Sequence, residues 1–267
     1  MNVCFLLGSG ISRPASLPSV DEITRKVLSP KDFFHWSDDV YRSVRQPTML
    51  PECENREMEG VEQLLRWLKG HAELRYASQP GRQVNYEDLA YLAAQIRDDH
   101  YDNFENPALG PLICAAVNSL PGMCSAGKLG GVAEQAVNFI ADVVAGMLAV
   151  QPTTLEHFQV FRQAVADDRF SHSQINLFTL NHDCLLERFL RSEGIEVVDG
   201  FDNVNGLGIR RWNPAVFDCE SSDRSKSTVR LFKLHGSTNW RRLRPEEPDS
   251  SGHTPNPRRE EYVGYSL

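Results

Sequence analysis

The chain has 267 residues, with 28 Lys and Arg against 36 Asp and Glu and a formal charge of −8. That length supports one large domain or a domain with a sizeable insertion, and the acidic balance argues against a nucleic-acid-binding surface built on general electrostatics. Six cysteines without any C-x-x-C pair argue against a zinc ribbon or a disulfide framework, so they are expected to be reduced and mostly buried.

The apolar run Val3 to Leu7, closed by Gly8, Ser9 and Gly10, reads as a buried strand entering a tight turn. Ser19 stands three residues before Glu22, the spacing of a capping box, so a helix is expected to follow the turn. Unpaired N–H groups at a helix start and the close approach that glycine permits both suit a phosphate. Taken alone, the turn fits a ligand-free strand-to-helix connection equally well. The dinucleotide fingerprint wants a third glycine where Arg13 stands, and no second strand ends in an acidic residue about 20 positions on.

From about residue 56 to 170 the pattern is helical almost throughout. Val61, Leu64, Leu65 and Leu68 share one face, as do Leu89, Leu92, Ala93 and Ile96 behind an Asn85 cap. The segment 130–150 is apolar enough for a central helix, and Thr153 with Glu156 has capping-box spacing for another. No apolar run approaches the roughly 18 residues of a membrane span, the best being residues 139–150, which carry Asp142. The N-terminus lacks the charged region of a signal peptide. A soluble, cytoplasmic protein with no membrane partner is expected.

Strands return late. Residues 174–180 are followed by the helical run 185–192, with Gly194 as its stop, and 195–200 and 229–236 are further short apolar runs ending in glycine. Strands alternating with helices predict an α/β fold with a parallel sheet. Residues 50–170 form a large helical insertion between the first strand and the later strands, within a single domain spanning 1–267. The stretch 241–261 is rich in charge, proline and serine and reads as a flexible loop or tail.

Ligands of parallel α/β sheets bind beyond the carboxyl ends of the strands, and three of those ends carry "GSGIS", "TLNHD" and "KLHGS". In that order, with "LPS" after the first, these segments resemble the three signature segments of the sirtuin (SIR2-like) superfamily. They are more similar to its divergent bacterial branch than to the protein deacylases, because "NYEDL" precedes helices and "TLNHD" leads into "LLERFL". The resemblance rests on about 30 residues by the span of these motifs. It implies a Rossmann-type sheet and NAD as substrate, with Gly8, Ser9, Gly10 and Ser12 along the NAD phosphates and ribose. Pro18, Thr179, Gly236 and Ser237 are implied as further NAD-binding positions. Asn181 would hold the nicotinamide ribose or the attacking water, Asp183 the carboxamide, and His235 would be the general base.

These roles fit the chemistry. Breaking the nicotinamide–ribose bond develops an oxocarbenium-like sugar as a neutral base departs, so the ribose must be oriented and a nucleophile positioned. Imidazole is the side chain best matched to accept a proton near neutral pH. Deacylases of the family carry a four-cysteine zinc module after the HG motif, whereas no cysteine follows Cys219 here. The adenosine half of the family's site uses a second Gly-x-Ser loop, to which only residues 262–267 are similar.

The expected activity is an NAD glycohydrolase releasing nicotinamide and ADP-ribose, without zinc. The resemblance implies NAD depletion in antiphage (antiviral) defence, in an oligomer that answers to a protein activator or a fused effector. A non-catalytic module sensing NAD or ADP-ribose is the alternative, and a deacylase the third. An HD doublet at His182 and Asp183 could hint at a metal phosphohydrolase, but such sites need further histidines and aspartates on helices. His182 is expected to fill an aromatic neighbour's place. The remaining histidines lack partners at ligand spacing.

Overall fold

The computed structural model describes residues 2–35, 40–43, 55–101, 106–167, 174–202, 209–218, 228–243 and 261–265. In chain order the elements are β1 (Asn2–Leu7), α1 (Val20–Val27), β2 (Phe33–His35), β3 (Tyr41–Ser43), α2 (Asn55–Tyr76), α3 (Tyr86–His100), α4 (Leu109–Ser119), α5 (Ala126–Leu148) and α6 (Gln159–Ala166). They continue with β4 (Gln174–Thr179), α7 (Leu185–Ser192), β5 (Glu196–Val198), β6 (Ile209–Arg211), β7 (Thr228–Lys233), β8 (Trp240–Leu243) and β9 (Glu261–Tyr265).

Two compact units result, one of Met1–Leu17 with Val150–Leu267, the other of Pro18–Ala149. In the first, four parallel strands in the order β1-β4-β7-β5 form the Rossmann-like α/β sheet that the alternation of strands and helices predicts. Register fixes the faces of the sheet. Leu7, Thr179 and Lys233 are partners, as are Phe5, Leu177 and Leu231. Leu177, Ile175, Val229 and Leu231 on this face are buried, and helices lie over it: Phe5 meets Phe161 of α6 edge to face at 5.6 Å, and Phe158 contacts Phe189 of α7. The opposite face carries the exposed Leu6 and Leu234, beside Phe178, Phe232 and Phe217 in successive stacks at 4.6 and 4.5 Å.

α7 ends as expected at Gly194. Its φ of +73° is open to glycine, and the bonds from Gly194 N to Arg191 O and Ile195 N to Leu190 O close a Schellman motif. The expected capping box at Thr153 is corrected. Thr153 N donates to Ala15 O instead, Thr154 Oγ1 accepts from Glu156 N, and a 3-10 turn at Glu156–Phe158 leads into α6. The start of the expected loop 241–261 is also corrected, because β8 and β9 pair antiparallel, with β6 on the other edge of β9. Residues 244–260 lie outside the described residues, as do Ser266 and Leu267 of the Gly-x-Ser resemblance.

The helical unit is built around α5, which packs on α1, α2, α3 and α4. Leu129, Ala133, Ala136, Phe139, Ile140 and Val143 form its buried stripe, and Phe33 and Tyr41 meet the Phe139 ring edge to face. Gly130 is required where α5 meets His100, since a Cβ there would stand 2.3 Å from the imidazole. The capping boxes at Ser19 with Glu22 and at Asn85 with Asp88 are formed. The unit runs from Pro18 to Ala149 rather than from 50 to 170, because α6 belongs with the sheet. Among the described residues one helix, α5, is long and apolar enough by length and composition to cross a membrane, and its buried stripe lies in the core of this unit.

Cysteine placement also departs from expectation. Cys4, Cys114 and Cys124 are exposed and Cys184 is half-buried, all as free thiols, while Cys53 and Cys219 lie outside the described residues. Cys4 shares the open sheet face with Leu6, which explains its exposure.

Candidate functional site

Sheet register brings the ends of β1, β4 and β7 together. Leu180 N donates to Leu7 O and Leu234 N to Thr179 O, so the ladder runs one step past each strand and then opens. The three segments that follow are "GSGIS", "LNHD" and "LHGS".

The turn after β1 is a 3-10 helix, Ser9–Ala15, and not the direct entry into an α-helix expected from sequence. Pro14 within it lacks an N–H, and the chain closes with bonds from Ile11 N to Gly8 O and from Ser16 N to Arg13 O. Gly8, Ser9 and Gly10 are exposed at its start. Gly10 has no positive φ, and a Cβ on Gly8 or Gly10 would meet nothing within 4 Å. Their openness is therefore not imposed by the backbone. Pro18 begins the helical unit and is not grouped with these residues.

Ser12 turns inward and is 5% exposed. Its Oγ donates to Asp183 Oδ2 at 2.7 Å and accepts from Asn181 Nδ2 at 2.8 Å. The direction of this chain follows from the donor inventory. A carboxylate only accepts, so the Ser12 proton is committed to Asp183 and only a lone pair remains for the amide. Asn181 must therefore present Nδ2 to Ser12 and turn Oδ1 away. That Oδ1 is buried and has no hydrogen-bond partner, a costly condition unless another donor arrives.

Local turns support the cluster. Thr179 is buried and accepts from Asn181 N at 3.0 Å, while Asp183 Oδ1 accepts from Leu185 N at 3.0 Å, at the start of α7 where the helix dipole favours a negative charge. Lys233, the last residue of β7, donates to the Asp183 backbone oxygen and to Glu187 Oε1 at 2.8 Å, both side chains being almost fully buried.

The segment after β7 lies alongside. Thr238 N donates to His182 O at 2.9 Å, Ser237 Oγ donates to the same oxygen at 3.4 Å, and Cys184 Sγ is 3.4 Å from Ser237 Oγ. Gly236 adopts a φ of +88°. His235 is exposed, and its ring lies 6.2 Å from that of His182.

The structure thus unites Ser12, Thr179, Asn181 and Asp183 by direct bonds and brings Ser237 beside them through His182. Sequence reading did not single out Lys233, Glu187, Cys184 or Thr238. A signal existed for the first: Lys233 continues the inward row Val229, Leu231, a position where an unpaired lysine is not tolerated. The chain matches no protein-family model and no curated protein.

Proposed function

We propose that the chain is a sirtuin-like NAD glycohydrolase that cleaves the nicotinamide–ribose bond to yield nicotinamide and ADP-ribose. The observation that carries this is the orphaned, buried Oδ1 of Asn181, held in a fixed direction by Ser12 and Asp183 at the carboxyl end of the central strand β4. An acceptor set there suits the O–H of a ribose or of the attacking water.

In this reading the exposed turn Gly8–Gly10 admits the pyrophosphate, since Gly8 and Gly10 carry no Cβ and allow close approach. Thr179, Gly236 and Ser237 border the nucleotide, and Asp183 faces the nicotinamide carboxamide. As the glycosidic bond breaks, the pyridinium leaves as neutral nicotinamide and positive charge gathers on the ribose. Water adds at that carbon, and its proton passes to His235, which is open to solvent and can release it.

The reading extends to a cytoplasmic, hydrolytic role in antiviral defence by NAD depletion, in an oligomer set off by a protein activator. It needs neither zinc nor a nucleic acid. Incubation of the purified chain with NAD and chromatography of the products tests it. Equimolar nicotinamide and ADP-ribose are expected, whereas intact NAD under every condition of concentration and assembly would contradict it.

A further inference from the structure

We propose that Lys233 is a positioning residue of this site, acting through the Asp183 peptide. Its kinetic arm rests on the NAD-hydrolase reading, while its structural arm does not.

Lys233 is fixed from below, as the register partner of Thr179 in the centre of the sheet. Its ammonium reaches over the turn that follows β4 and is shared by two acceptors, the backbone oxygen of Asp183 and the carboxylate of Glu187 on α7. The ammonium side chain is 2% exposed and the carboxylate 5%. A buried pair of this kind is a weak source of net stability, because desolvation offsets the attraction and apolar residues of similar volume often serve as well. Its geometry, by contrast, does something apolar residues cannot. It pins the carbonyl of the residue whose side chain commits the Ser12 proton, and that commitment is what turns Asn181 Oδ1 away from Ser12, where it is buried without a partner. Release of the Asp183 peptide would let the carboxylate swing and the Ser12–Asn181 direction relax. Lys233 touches none of the reacting atoms, and its effect is on their orientation.

The experiment compares wild type with Lys233→Met/Glu187→Leu, which replaces the pair by apolar volume so that no charge is left buried alone. Thermal unfolding, NAD kinetics and amide hydrogen exchange are read on each. The expected result is a folded variant whose kcat falls roughly 10²-fold, the penalty of a misplacement near 1 Å, with little change in KM. Exchange at residues 181–185 should accelerate while the amides of β4 and β7 keep their protection. A folded variant with wild-type kcat and native protection of 181–185 overturns the proposal. If wild type itself hydrolyses no NAD, the functional reading fails and the exchange pattern alone decides the role of Lys233. If that variant does not fold, Lys233→Met/Glu187→Gln decides, since it also removes the ammonium without leaving a charge buried alone and keeps a polar side chain at 187. Accelerated exchange at 181–185 in that variant supports a clamp on the peptide, and native protection overturns it.

Discussion

Ser12 and Asp183 stand 171 positions apart in the chain and are joined by a 2.7 Å hydrogen bond between two side chains that are both more than nine-tenths buried. Ser12→Ala removes the proton Asp183 accepts and the lone pair Asn181 donates to. Two buried polar groups are then left unsatisfied, which costs about 1–3 kcal/mol each. Denaturant unfolding should show a loss of about 2–6 kcal/mol, the sum of the two, and a change below about 0.5 kcal/mol, the size of an ordinary surface substitution, would mean that the bond carries no weight.

The exposed glycine turn separates ligand crowding from backbone strain. Gly10 has room for a Cβ and an ordinary φ, so Gly10→Val should leave the melting temperature near that of wild type. Calorimetry should nevertheless show weakened NAD binding, because the new side chain occupies the space assigned to the pyrophosphate. Unaltered affinity in the folded variant would move the pyrophosphate elsewhere.

The two sides of the sheet should respond differently to the same truncation. Leu231 is fully buried under the helices whereas Leu234 is 54% exposed. Leu231→Ala should cost about 2–5 kcal/mol, and Leu234→Ala no more than about 0.5 kcal/mol. Equal losses in denaturant titration would contradict the one-sided burial.

The helical unit carries a pH dependence at His71. Burial first, and the nearby Arg75 second, hold this imidazole below its ordinary value of 6.5, and its Nε2 is buried without a partner. The unfolded chain therefore binds more protons than the folded one just below pH 6.5, so the stability is complete above that value and lost as pH falls toward the lowered folded value. His71→Phe keeps the ring on Trp67, against which it stacks at 5.4 Å. Melting curves between pH 7.5 and 5.5 should fall more steeply for wild type than for this variant, and parallel slopes would refute the assignment.

What was legible in the sequence was local. Ser19 with Glu22, Asn85 with Asp88, and Gly194 lie within a few residues of the groups they satisfy, so spacing alone reveals them. Strands β1, β4, β5 and β7 showed as apolar runs. Strands β2 and β3, and the β6-β9-β8 sheet, are held by cross-strand pairing of short or charge-rich segments such as "WRRL", which have no apolar period to read. The glycine turn follows β1 as the sequence reads, yet its 3-10 form over Ser9–Ala15 has no spacing signal in the chain. At the site, the strand-end motifs named Asn181 and Asp183, but the bond from Ser12 to Asp183 exists only once β1 and β4 pair. Lys233 continues the inward alternation of Val229 and Leu231, but its acceptors on the turn after β4 and on α7 are set only by tertiary packing.

The central claim is tested most directly by measuring NAD turnover and NAD affinity together for wild type, His235→Ala and Asn181→Ala. His235→Ala should keep most of its affinity and lose roughly 10²- to 10⁴-fold in rate, the contribution of a general base. Asn181→Ala should lose turnover as well as affinity. An active wild type whose rate survives intact in His235→Ala would contradict the assignment of the base, and affinity changes without any turnover in wild type would mark a sensing module instead of a hydrolase.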